Sequence, residues 1–105
     1  MIKVDIYKNQ AGQIFGFKAI NHGKTIVCAA VSALTLNTVN SIETFVNCEF
    51  FCDHDPKGGF LILKIPDIEN GSGNEMAELL LNSLMLGLES IRSEYRNEIK
   101  LTEVK

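Results

Sequence analysis

The hydrophobic pattern of this 105-residue chain changes period several times, and those changes fix what it can fold into. Ile2, Val4 and Ile6 alternate with Lys3, Asp5 and Tyr7, the period-two signature of a strand with one buried face. That predicts a strand over 1–8. The turn residues Asn9-Gln10-Ala11-Gly12 follow, and a second extended stretch over 13–21 sets Phe15, Phe17 and Ala19 on one side, so the first two strands should form a hairpin. From Ile26 to Val46 the spacing switches to three and four, through Val27, Val31, Leu34, Thr38, Ile42 and Phe45, which predicts a long helix with Thr25 as its N-cap. Two more strands, 47–52 and 59–65, should flank the breaker-rich turn 53–58.

A second helix is predicted from the capping-box spacing of Ser72-Gly73-Asn74-Glu75 to about Arg96, along Met76, Leu80, Leu84, Ile91 and Tyr95. Leu79, Leu81, Met85, Leu86 and Leu88 widen its apolar face beyond what one sheet can cover, which makes it the candidate dimer surface. Residues 99–104 read as a last short strand. The order ββαββα(β) implies an α+β, two-layer sandwich, with an antiparallel-dominated sheet and two main helices packed on it. Size and apolar content, 46% of positions, suit one domain spanning 1–105.

Composition narrows the function classes. The strongly apolar stretch Leu79–Leu88 is broken by Asn82, Ser83 and Gly87 and is shorter than the roughly 20 residues of a bilayer span. With no secretory pattern at Met1-Ile2-Lys3-Val4-Asp5, the expectation is a cytoplasmic protein that does not engage a membrane. Ten basic against thirteen acidic side chains give a net charge of -3, and no Lys/Arg cluster is present in sequence, which argues against direct nucleic-acid binding and favours a basic protein or peptide partner. Three cysteines, an odd number, point to reactivity or metal binding rather than a disulfide framework.

The segment Asn21-His22-Gly23-Lys24-Thr25-Ile26-Val27-Cys28 sets a histidine at a strand end and a cysteine in the first turn of the next helix. Free amides and the positive end of the helix dipole favour a thiolate, and a nearby imidazole can take the proton, so this pairing makes an activated nucleophile. On spacing alone a buried core cysteine and a structural histidine remain the commoner arrangement.

The run Ile26-Val27-Cys28-Ala29-Ala30-Val31-Ser32-Ala33-Leu34, with His22 upstream, resembles the bacterial ribosomal-processing cysteine protease family, and the likeness in length and element order extends over the whole chain. The resemblance implies a homodimeric cysteine endopeptidase that removes the N-terminal extension of a large-subunit ribosomal protein, cutting after an aromatic-containing motif. It implies Cys28 as nucleophile, His22 as base and then acid, and Ser32, one helical turn on, as a supporting residue. Three positions depart from the family pattern: Asn21 stands where glycine is usual, Thr25 where an acidic residue is usual, and only the five residues 23–27 separate His22 from Cys28. So short a loop leaves little for a substrate-gating flap. The alternative is a non-catalytic dimeric module that binds ribosomal protein tails.

Other candidates carry less. Gly23-Lys24-Thr25 imitates the end of a phosphate-binding loop, but the first glycine such a loop needs is replaced by Lys18. Cys48, Cys52 and His54 share strand parity without the paired knuckle of a zinc site, so no metal is expected. Glu75, Glu78 and Glu89 suit a helix N-terminus and a solvated face rather than acid/base chemistry. Nothing in the pattern calls for a cofactor.

Overall fold

The structure is a computed structural model that describes residues 1–20 and 25–105. A five-stranded sheet carries the helices on one face. Its strands are β1 (Ile2–Lys8), β2 (Ile14–Ile20), β3 (Phe51–His54), β4 (Phe60–Lys64) and β5 (Ile99–Val104), in the order β3-β4-β2-β1-β5. The helices are α1 (Ile26–Phe45), a single turn α2 (Pro66–Glu69) and α3 (Glu75–Glu94). Three of the four strand pairings are antiparallel; β5 returns from α3 to lie parallel to β1, pairing Ile2 with Ile99 and Tyr7 with Val104. The antiparallel-dominated two-layer α+β fold is therefore the one the periodicities predict.

One face of the sheet makes the core. Ile2, Val4 and Ile6 are all but inaccessible, as are Phe17 on β2, Leu63 on β4 and Ile99 on β5. Each such side chain contributes about 1.5–3 kcal/mol by leaving water. Gly16 faces β4 so closely that a Cβ there would collide with the Leu63 carbonyl oxygen, so only glycine fits. The β3–β4 hairpin turns at Gly58, whose φ of 83° lies in the left-handed region, while Asp55 accepts backbone hydrogen bonds from Lys57 and Gly58.

α1 is 20 residues long, with a mean hydropathy of 1.3, enough by length and composition to cross a bilayer. Here it serves as a core helix, burying Val27, Cys28, Val31, Thr35, Thr38, Val39 and Ile42. Thr35 and Thr38 enter the core without an unsatisfied hydroxyl because each donates back to a carbonyl one turn earlier, Val31 at 2.8 Å and Leu34 at 2.9 Å. Phe45, expected on the buried stripe, is 68% exposed, because the stripe follows Thr38, Val39 and Ile42 and rotates past it.

Four further details differ from the sequence reading. Residues 47–50 are not strand; β3 begins at Phe51. α2, which the sequence reading lacks, forms after Ile65 because Pro66 supplies the fixed φ of a first helical residue. The α3 cap is Asn74 rather than Ser72: its side chain accepts from the Ala77 amide at 3.0 Å, and Glu78 accepts from the Asn74 amide at 2.9 Å. Finally, α3 buries Ala77, Leu81, Leu84 and Leu88, so Met76, expected inside, lies outside.

Candidate active site

The start of α1 is where sequence chemistry and structure meet. Thr25 has extended backbone angles (φ -92°, ψ 167°) and caps the helix as expected, its Oγ1 accepting from the Cys28 amide at 3.2 Å. The same hydroxyl donates to Cys28 Sγ at 3.4 Å. One side chain thus ends the strand connection, starts the helix and holds the sulfur. Cys28 is only 5% exposed, but it lines a shallow depression of about 100 Å³ shared with Thr25, Met1, Ile2, Asn97 and Glu98. The last four come from opposite ends of the chain. They meet because β1 and β5 run side by side, with the Ile2 amide donating to the Glu98 carbonyl at 3.0 Å. No periodicity or motif could have pointed to them.

Ser32 stands one turn after Cys28, half-buried, and lines a different concavity. This pocket of about 180 Å³ is mainly apolar, walled by Val31, Thr35 and Leu36 of α1, Ala19 of β2 and Leu61 of β4, with His54 and Asp55 at the β3–β4 turn. Cys28 and Ser32 therefore sit on one helix between two recesses. His22 lies outside the described residues, as do Gly23 and Lys24 of the phosphate-loop imitation.

The other two thiols have different surroundings. Burial pushes the Cys48 thiol up, with Asp67 adding to the shift. Cys52 is likewise raised by burial first, then by the charges of Asp53 and Glu43. Both are kept protonated and poorly nucleophilic. Among the described residues no three His, Cys, Asp or Glu side chains gather into a metal site, so Cys48, Cys52 and His54 do not form one. Glu78 is engaged by Gln13 and by the Asn74 amide, a structural task at the α3 start.

Residues 1–100 match the family model of cysteine protease Prp. The chain belongs to the Prp family. Ribosomal processing cysteine protease Prp of Bacillus subtilis (strain 168) is 25% identical over 108 residues, covering 97% of this chain and 96% of that protein. Prp of Staphylococcus aureus (strain Mu50 / ATCC 700699) is 30% identical over 107 residues, with 96% and 97% covered. The Prp fold itself is shared: the S. aureus protease in complex with a covalently linked product peptide superposes with a TM-score of 0.88 at 30% identity, over 99% of this chain and all of that one. Its complex with a substrate peptide gives 0.87 at 28% identity, over 99% and 100%. As a member of the Prp family the chain is a cysteine protease, a hydrolase.

Proposed function

We propose that this protease removes the N-terminal extension of a large-subunit ribosomal protein during ribosome assembly, with Cys28 as its nucleophile. The observation that carries the assignment is the placement of Cys28 in the first turn of α1, its sulfur held by Thr25 beside an opening to solvent. The other two thiols, Cys48 and Cys52, are held protonated by burial and by the carboxylates near them. The relatives' names, ribosomal processing protease, and their peptide complexes supply the substrate class.

In this reading His22 takes the proton from Cys28 Sγ, and the sulfur adds to the scissile carbonyl carbon. The amides of Cys28 and Ala29 are already committed to the Thr25 hydroxyl and carbonyl, so the amides of Ile26 and Val27 are the donors left for the oxyanion. His22 then returns its proton to the leaving amine. Water, deprotonated by the same imidazole, hydrolyses the thioester and regenerates the thiol. Ser32 supports the site from the neighbouring turn and borders the apolar pocket, which suits an aromatic or aliphatic substrate side chain. Residues 1–105 act as one cytoplasmic domain and pair as a homodimer, with the exposed Met76, Leu79 and Leu86 of α3 covered by a second copy. An acidic chain also complements a basic ribosomal tail.

The test is a synthetic peptide spanning the N-terminal extension of the host's own ribosomal protein, followed by mass spectrometry. Single-bond cleavage is expected, falling by at least about 10³-fold in Cys28→Ala and in His22→Ala. Cleavage by Cys28→Ala at the parent rate would overturn the assignment.

A further inference from the structure

The sheet face turned away from the helices collects charges that are scattered in the sequence. Strand register puts Lys3 and Lys100 side by side on β1 and β5, Lys18 opposite Asp5, and Lys64 opposite Gly16, all on this face. Among the described residues no element packs over it. Among the described residues, four basic side chains and only two acidic ones, Asp5 and Asp53, point this way. The face therefore carries about +2 in a protein whose net charge is -3.

Aromatic rings are interleaved with the lysines. Lys64 Nζ lies 5.0 Å from the Tyr7 ring centroid, across the trench left by Gly16, and Lys18 Nζ lies 5.9 Å from that of Phe60. Phe51, beside Lys64 on the outer strand, is 52% exposed. A face with a net charge of about +2 repels a second copy of itself. Spaced cations beside π-faces are instead what a single-stranded nucleic acid needs: cations for the phosphates and rings for the unstacked bases. Asp5, central among the lysines, is an acceptor only, and it suits the 2′-hydroxyl that distinguishes ribose from deoxyribose.

We propose that this open sheet face is a binding site for single-stranded RNA, with Lys3, Lys18, Lys64 and Lys100 on the backbone and Phe51 as a stacking platform. The site is separate from the thiol and does not rest on the proteolytic reading. Fluorescence anisotropy with labelled rU12 tests it. Binding in about the 1–100 µM range is expected at low salt, weakening with a log–log salt slope of about -2 to -3 for three or four phosphate contacts. The pairs Lys3→Gln/Lys100→Gln and Lys18→Gln/Lys64→Gln should each flatten that slope by about 1.4. Phe51→Ala should weaken binding by about fivefold or more and leave the slope unchanged. Circular dichroism on each variant verifies that it is folded.

Three results would overturn the proposal. One is no binding of rU12 at 50 mM salt and about 1 mM protein; another is lysine pairs that leave the slope intact. The third is sedimentation showing that Phe51→Ala splits a dimer, which would assign the face to a second copy. Equal or tighter binding of dT12 would overturn the choice of RNA.

Discussion

At Thr25 a single hydroxyl bonds both the Cys28 amide and the Cys28 sulfur, which joins the stability of α1 to the position of its thiol. Thr25→Ala is expected to destabilise the fold by about 1 kcal/mol, the usual cost of a lost N-cap, which lowers Tm by about 4–8 °C in a chain of this size. Thr25→Ser should restore it, and a thermal melt reads both. The three thiols should also separate by reactivity. With Cys48 and Cys52 held protonated, iodoacetamide at pH 6 is expected to label Cys28 first, which peptide mapping by mass spectrometry would show; labelling of all three at one rate would contradict this. The same two raised thiols have a consequence for folding. Their neutral forms are favoured in the native state, so that contribution is complete below the ordinary thiol pKa and is lost as pH rises above about 9. Cys48→Ala/Cys52→Ala should flatten the alkaline fall in stability, measured by urea melts between pH 8 and 10.

Between elements, two close approaches differ in what can yield. At Gly16 the obstacle to a Cβ is the Leu63 backbone carbonyl in the β2–β4 ladder, which cannot move without breaking hydrogen bonds. Gly16→Ala should therefore cost about 3 kcal/mol or more. At Gly87 of α3 the nearest atom to a Cβ is Leu34 Cδ1 at 2.9 Å, the far end of a flexible, half-buried side chain. Gly87→Ala gains up to about 1 kcal/mol of helix propensity against that small repacking, and its Tm should stay close to the parent's. Equal losses at the two glycines would show that backbone and side-chain obstacles do not differ here. β5 is tied at its far end by Lys8 and Glu103, 2.9 Å apart, and the lysine's hydrogen bond and charge hold the Glu103 carboxyl below its usual range. This lowered group helps only where it is ionised and its benefit fades as pH falls through its folded pKa, but the carboxylate is fully solvated, so Glu103→Gln should change stability little.

For the molecule as a whole, the apolar surface left on α3 makes the association state the informative measurement. Leu79 and Leu86 are 70% and 69% exposed, seven residues apart on one helix face. Leu79→Glu/Leu86→Glu should convert the expected dimer to a monomer in analytical ultracentrifugation at micromolar concentration, with the far-ultraviolet spectrum unchanged. A parent that is already monomeric would remove the basis for the dimer.

Much of the architecture is legible because each element's period is a local property. Alternation at 2–8, the three-and-four spacing from Ile26 and the Thr25 cap are all set by neighbours in sequence, and all reappear in the structure. The resemblance carried by the run around Cys28 pointed in the same local way to the cysteine protease family. What no local pattern holds is pairing. The parallel β1–β5 contact brings Met1 and Ile2 to Asn97 and Glu98 around the thiol, and the strand order gathers lysines 3, 18, 64 and 100 on one face. The face of a helix that meets the core is likewise a tertiary choice, which is why Phe45 and Met76 moved outside while Leu81 and Leu88 went in. Sequence spacing determined the elements, and the resemblance of the run around Cys28 supplied the nucleophile candidate; only long-range strand pairing, driven by burial of the shared apolar face, decided what surrounds them.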